Sequence, residues 1–240
     1  MDAVQQAGRI VDWLRERVAA AGSQGFVLGL SGGVDSAVVA GLAVRAMPGK
    51  VYPYILPCHS QPEDARLARE VAAAFGLEAE QIVLDEPYDV LRRAYGAGGA
   101  PAAGDLADAN LKSRLRMITL YYQANRRNCL VLGTGNRSEI AVGYFTKWGD
   151  GAVDLLPLAG LVKREVYALA RHLGVPQAVI DRPPSGGLWP GQTDEAEMGL
   201  RYADIDEYLL TGNVPADIAA RIARRIAANE HKRRMPLSPE

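Results

Sequence analysis

Cysteine is scarce in this chain of 240 residues: Cys58 and Cys129 are the only two, too few for a disulfide scaffold. Each lies in an apolar stretch, so both are expected to be reduced and buried. Histidine is nearly as thin, and His59, His172 and His231 are scattered without metal-ligand spacing, so a zinc site is not expected. No apolar run approaches the ~20 residues of a membrane span. Asp2, Arg9, Asp12 and Arg15 punctuate a mixed N-terminal segment that does not read as a signal peptide, so a cytoplasmic protein is expected. A net charge of −1 gives no global pull toward nucleic acid or an anionic membrane.

What remains is an ordinary globular composition, 48% apolar and 23% charged, long enough for one sizeable α/β core. Val4, Ile10, Val11, Leu14 and Val18 recur at helical spacing, so the first twenty residues form an amphipathic helix ending near Gly22. Strands are expected at 26–30, 51–56, 81–84 and 129–132. Helices are expected at 37–46, from Ser60 to near Phe75, and at 110–125, 163–173, 195–208 and 215–229. Ser60 and Glu63 stand at capping-box spacing for the second of these. Alternating strands and helices imply right-handed crossovers. The expected fold is therefore α/β, a Rossmann-like doubly wound sheet, mostly parallel, of about five strands, with helices on both faces and a helical C-terminal part. The whole chain, 1–240, is expected to be one domain. The Gly/Ala/Pro-rich stretch 96–104 is the best candidate for a mobile loop.

The strand at 26–30 runs into Ser31-Gly32-Gly33-Val34-Asp35-Ser36, and a helix follows at once. Small residues let the backbone turn sharply, and the open N–H groups of the helix face an anion. Ser31 and Ser36 add hydroxyls. Asp35 sets a carboxylate beside the anion, where Mg2+ would reconcile the two negative charges. No Lys follows the glycines, so this is not a Walker A loop. A glycine pair can also mark an ordinary strand-to-helix turn, but the full string resembles the pyrophosphate loop of the N-type ATP pyrophosphatases, which cleave ATP between its α- and β-phosphates.

The strand at 129–132 ends in Gly133-Thr134-Gly135-Asn136-Arg137-Ser138-Glu139, again glycine, hydroxyl and carboxylate at a strand's carboxyl end. Asp35 and Glu139 could together hold one octahedral Mg2+; alternatively, Glu139 is a helix-start carboxylate favoured by the dipole. Residues 143–154 mix Tyr144, Phe145 and Trp148 with Lys147, Asp150 and Asp154 on a glycine-rich loop. Such a loop suits a planar, partly charged ligand, and it equally suits a surface loop with buried aromatic anchors.

Asn110-Leu111-Lys112-Ser113-Arg114, the 133–136 and 143–154 segments, Pro157-Leu158-Ala159-Gly160-Leu161-Val162-Lys163, Pro184-Ser185-Gly186-Gly187-Leu188-Trp189 and His231-Lys232 occur in the order found in NAD synthetases. The resemblance runs from Ser31 to Lys232 and implies an ammonia-dependent NAD synthetase. It implies that Gly29, Leu30, Ser31, Gly32, Gly33, Val34, Asp35, Ser36 and Thr134 bind ATP, with Asp35 and Glu139 as magnesium carboxylates. Lys163 and Ser185 match a phosphate-binding Lys and a hydroxyl at the scissile phosphates, and both count as catalytic. Arg114, Lys147, Asp154, His231 and Lys232 match deamido-NAD positions. Asp150 matches an acid thought to receive ammonium and help deprotonate it, although it could simply position Lys147. Gly186-Gly187 replaces the more usual Ala-Asp, which implies a more flexible lid with one acid fewer.

The implied reaction adenylates the nicotinate carboxylate of deamido-NAD with ATP and then amidates it. Because the chain begins one helix before the ATP loop, without the N-terminal amidase domain of glutamine-using relatives, free ammonia or a separate amidase subunit is the expected nitrogen source. The family implies a homodimer with the substrate site at the interface. Another N-type ATP pyrophosphatase, such as a tRNA-modifying ligase, remains an alternative, resting on Arg221, Arg224, Arg225, Lys232, Arg233 and Arg234. That cluster also reads as a solvated helix face and tail. A nucleotide sensor without turnover fits poorly with a full set of phosphate-site hydroxyls, Lys and carboxylates.

Overall fold

A computed structural model describes residues 2–99, 102, 104–236 and 238. Asp2 caps the first helix, α1 (Ala3–Ala21), by accepting from the amides of Val4 and Gln5, and Gly22 closes it in the left-handed conformation. Then follow β1 (Phe26–Gly29), α2 (Val34–Ala46), β2 (Val51–Ile55), α3 (Pro62–Ala74), β3 (Glu80–Gln81), α4 (Asp85–Ala94), α5 (Leu106–Arg127) and β4 (Leu130–Leu132). The remainder is helical: α6 (Arg137–Val142), α7 (Lys163–Leu173), α8 (Gln177–Ile180), α9 (Asp194–Met198), α10 (Tyr202–Leu210), α11 (Ala216–Ala228) and α12 (Glu230–Arg233).

The sheet is parallel, in the order β3-β2-β1-β4. Strand alternation divides its side chains between two layers. Phe26, Leu28, Ile55 and Leu132 face a core shared with α1, α2, α3 and α7, while Val27, Tyr54 and Val131 face Tyr88 of α4 and Leu115 of α5. Helix α2 is apolar on nearly every side because it lies between the sheet and α1 and α7. The chain order reverses direction between β1 and β4, so a crevice opens beyond their carboxyl ends, where doubly wound sheets bind ligands.

The α/β architecture agrees with the sequence reading, with four strands rather than about five. The fifth place is taken by a single bridge between Leu132 and Leu155. The strand expected at 81–84 pairs only at Glu80 and Gln81; beyond it the amides of Ile82 and Leu84 donate to Ile55 and Pro57, and Leu84 becomes the N-cap of α4. Ser60 does not cap α3, which starts from Gln61 with Pro62 in its first turn. Its hydroxyl instead accepts from the Cys58 amide at 3.2 Å and the Arg116 guanidinium at 3.1 Å. The helix expected at 195–208 is two, because Gly199 takes the left-handed conformation and ends α9. The expected mobile loop at 96–104 lies partly outside the described residues. No described helix is long and apolar enough to cross a membrane.

Candidate active site

Two strand ends build one wall of the crevice. After β1, Ser31 Oγ accepts from the Gly33 amide at 3.2 Å and sits 3.1 Å from Ser36 Oγ, which donates to the Gly33 carbonyl at 2.9 Å. These contacts shape the loop while Gly33, the N-cap of α2, offers no side chain. The first amides of a buried 13-residue helix therefore face the crevice without a side-chain cap. Gly32 has φ +79°, and a Cβ there would lie 2.5 Å from the Asp64 carbonyl of α3. Gly32→Ala is accordingly expected to destabilise the protein by about 1–2 kcal/mol from backbone handedness alone. The displaced loop should also weaken ATP binding, and thermal unfolding with an ATP titration checks both.

After β4, Asn136 caps α6 in a reciprocal box with Glu139. Its amide Nδ2 also donates to Asp35 Oδ1 at 2.9 Å, tying the second strand end to the first loop. The Lys163 ammonium lies between the two acids, 2.6 Å from Asp35 Oδ2 and 3.1 Å from Glu139 Oε1. Lys163 is only 2% exposed, and its ammonium stands 4.8 Å from the centre of the Tyr202 ring. Burial disfavours the charge on Lys163, but the two carboxylates more than offset this and raise its pKa. Burial raises the Glu139 carboxyl, against the pull of Lys163.

Two carboxylates from neighbouring strand ends thus converge on one cation position. That donor set suits Mg2+, which takes one or two protein carboxylates and completes its octahedron with phosphate oxygens and water. No group of three acidic, histidine or cysteine ligands exists among the described residues. Behind Glu139, Tyr202 Oη lies 3.1 Å from Glu139 Oε1 and 2.8 Å from Asp194 Oδ2. Asp206 of α10 accepts from Ser138 Oγ and the amides of Lys163 and Arg164, fixing the start of α7.

A second set of candidate residues lies on α5 and residues 143–154. Asp150 Oδ1 accepts from Ser113 Oγ at 2.7 Å and from the Thr146 amide at 3.0 Å, and the Asp150 amide donates back to Ser113 Oγ at 2.9 Å. Gly149 permits this approach, since a Cβ would meet Ser113 Oγ at 2.4 Å. Asp150 Oδ2 receives no hydrogen bond from a described residue and is left to the exposed side of the loop.

The remaining residues singled out from the sequence fall into three places. Arg114, Lys147, His231 and Lys232 gather at one edge: Arg114 donates to the Lys147 carbonyl, Lys147 to the His231 carbonyl, and Lys232 to the carbonyls of Gly143 and Phe145. Asp154 lies apart, accepting from the Val131 amide at 2.7 Å and the Tyr121 hydroxyl at 3.0 Å at the margin of the sheet. Ser185 is on the segment between α8 and α9, where its hydroxyl accepts from the Gly187 amide. Arg182 ties that segment to Asp64. A Cβ at Gly187 would lie 3.5 Å from Asp64 Oδ2, so an acid at 187 would face a carboxylate already in place. Thr134 is half-buried at the end of β4.

Sequence reasoning left Lys112, Arg116, Asp194, Tyr202 and Asp206 without roles. Lys112 and Arg116 were visible only as two of several cations on a long helix. The other three stand on helices whose approach to the site depends on tertiary packing.

The NAD synthase family pattern matches residues 6–236. The chain is 49% identical to the NH3-dependent NAD+ synthetase of Carboxydothermus hydrogenoformans, over 98% of this chain and 97% of that protein. Among solved structures it resembles NMN synthetase from Francisella tularensis, with a TM-score of 0.93 and 38% identity over 100% and 99% of the two chains. It also resembles the NH3-dependent NAD synthetase of Campylobacter jejuni subsp. jejuni, with a TM-score of 0.84 and 30% identity over the full length of both.

Proposed function

The chain belongs to the NAD synthase family, a premise from which we propose that it adenylates the nicotinate carboxylate of deamido-NAD with ATP and hands the activated acyl group to free ammonia. It is a ligase forming a C–N bond, with ATP as co-substrate and NAD, AMP and pyrophosphate as products. The reading is supported by the uncapped helix start after Ser31-Gly32-Gly33 and, separately, by the carboxylate of Asp150 held by Ser113 and Thr146.

The amides of the Ser31 to Ser36 loop hold the β- and γ-phosphates, and Lys163 and Ser185 donate to the scissile phosphates. Asp35 and Glu139 would hold Mg2+, which supplies charge neutralisation for the departing pyrophosphate. A nicotinate carboxylate cannot lose its oxygen to an amine unaided, and adenylation supplies AMP as the leaving group. Asp150 binds ammonium and takes its proton, because only neutral NH3 is a nucleophile. Arg114, Lys147, His231 and Lys232 hold the acceptor's phosphates. The test incubates the protein with ATP, Mg2+, deamido-NAD and ammonium chloride. NAD and AMP in equal amounts support the reading, and ADP, or no NAD, refutes it.

The likeness to an NMN synthetase favours a second reading of the acceptor, nicotinate mononucleotide. The relative kcat/KM for the mononucleotide and deamido-NAD separates the two. Localisation in the cytoplasm, a single functional domain and a homodimer complete the proposal. Leu106, Ile118 and Tyr122 on α5 are exposed apolar residues suited to a twofold contact. Light scattering is expected to give twice the chain mass, falling to one chain mass in an Ile118→Glu variant.

A further inference from the structure

Several buried or half-buried cations in this protein have carboxylate partners. Lys163 has Asp35 and Glu139, Arg182 has Asp64, and Arg92, near the start of α5, has Asp108. Lys112 and Arg116 differ. They stand one turn apart on the same face of α5, where like charges repel. Among the described residues neither has a carboxylate at ion-pair distance. Lys112 is 5% exposed, and its ammonium donates to the Leu188 carbonyl at 2.8 Å and lies 5.4 Å from the centre of the Tyr88 ring. Arg116 donates through Nε to the Leu56 carbonyl and through Nη2 to Ser60 Oγ, both at 3.1 Å. Burial lowers the pKa of both groups. Lys112 is buried and Arg116 partly buried; their neutral acceptors, with Asp85 and Asp108 near Lys112 and Asp64 and Asp150 near Arg116 but outside ion-pair distance, compensate these charges only in part, so two such cations side by side suit an added anion.

Their surroundings identify where that anion belongs. Ser113, adjacent to Lys112, holds Asp150. Ser60, bonded to Arg116, precedes α3, whose Asp64 carbonyl lies against Gly32 of the phosphate loop. Leu188, bonded to Lys112, follows Ser185 by three residues. The pair therefore sits among the phosphate loop, the Ser185 segment and the Asp150 wall.

We propose that Lys112 and Arg116 form an oxyanion subsite that receives the reacting oxygens of a substrate, those of the acceptor carboxylate or those of the nucleotide's α-phosphate. The proposal rests on the NAD synthase reading for the identity of those substrates. A guanidinium fork beside a compact ammonium suits either a planar carboxylate or a phosphate, and the two share this chemistry.

Calorimetric titration of the full chain with deamido-NAD, NAD and AMP tests it in wild type, Lys112→Met, Arg116→Met and Lys112→Arg. Deamido-NAD and NAD differ only in the carboxylate. If the carboxylate is the ligand, each Met variant loses about 10- to 100-fold in affinity for deamido-NAD and little for NAD. If the α-phosphate is the ligand, the loss appears with AMP. Lys112→Arg retains most of the affinity in either case. Unchanged affinities in both folded Met variants overturn the subsite. So does failure of both to fold, which would assign the pair a structural role.

A probe independent of nucleotide chemistry keeps the two readings apart. Sodium sulfate, compared with chloride at matched ionic strength, should raise the melting temperature of wild type more than that of either Met variant. Equal rises in all three proteins overturn the subsite. A preserved difference together with no NAD formation is instead a failure of the proposed reaction.

Discussion

Lys163→Met is expected to destabilise the protein by about 3 kcal/mol without metal and to slow pyrophosphate release by about 10²- to 10³-fold. Methionine keeps the aliphatic stem that packs in the site and removes only the charge. What it leaves behind is Asp35 and Glu139, with side chains 17% and 14% exposed, facing the point the ammonium occupied. Their remaining donors are neutral: Asn136 Nδ2 for Asp35 and the Asn136 amide for Glu139, while the Tyr202 hydroxyl lies closer to Asp194 than to Glu139. Removing one member of a buried ion pair costs about 3–5 kcal/mol, because a charge stays desolvated and unpaired; the residual exposure of both acids argues for the low end. If the same two acids are the magnesium ligands, added Mg2+ should raise the melting temperature of the variant more than that of wild type, since it replaces the missing positive charge. A variant as stable as wild type and indifferent to Mg2+ would separate the acids from any metal role. Unchanged pyrophosphate release in single turnover would remove Lys163 from the phosphate site.

The effect is expected to be large because three elements distant in sequence meet at this ammonium, and that distance also explains why the site was only partly legible. The loop at 31–36 could be read directly: strand, turn and helix follow one another, and the chemistry of a helix start is local. Glu139 was visible as a carboxylate at a strand end or a helix start, whereas the Asn136 cap emerged only from the fold. The meeting of Lys163 with Asp35 spans 128 residues, and no spacing in the chain encodes it. Resemblance supplied Lys163 as a phosphate ligand, whereas its bridging of Asp35 and Glu139 emerged only from the fold. Asp206 and Tyr202 were similarly hidden, since α10 reaches the site by packing on α6 and α7.

Errors in the elements have local causes too. Ser60 and Glu63 had the right spacing for a cap, but the Ser60 hydroxyl is engaged by Arg116 of α5. Ile82, Val83 and Leu84 look like a strand, yet Val83 is exposed, and the ladder ends once the chain must turn into α4. Asp154, which the resemblance matches to a deamido-NAD position, also accepts from protein donors at β4 and α5. Its side chain fastens the 143–154 segment to the sheet, which fixes the far end of the loop that carries Asp150.

Asp150→Asn is expected to slow amide formation by about 10²- to 10⁴-fold while leaving adenylation near its normal rate. The geometry makes this substitution unusually selective. Both hydrogen bonds that fix the side chain, from Ser113 Oγ and the Thr146 amide, end on Oδ1. An asparagine can keep its oxygen there, preserving the turn around Gly149, and place its amide nitrogen where Oδ2 stood. The one change is then the loss of a charged acceptor at the oxygen to which no described residue bonds. Ammonium would lose its counter-charge and its proton acceptor together, but Asp35, Glu139, Lys163 and the 31–36 loop would keep their contacts. Rapid-quench single turnovers resolve the two steps: pyrophosphate should appear at the wild-type rate and NAD should lag behind it. Ser113→Ala, which removes one of the two Oδ1 donors but retains the carboxylate, should produce a smaller lag. Equal slowing of pyrophosphate and NAD in Asp150→Asn would make Asp150 an organiser of the whole crevice, and its role as ammonium base would fall.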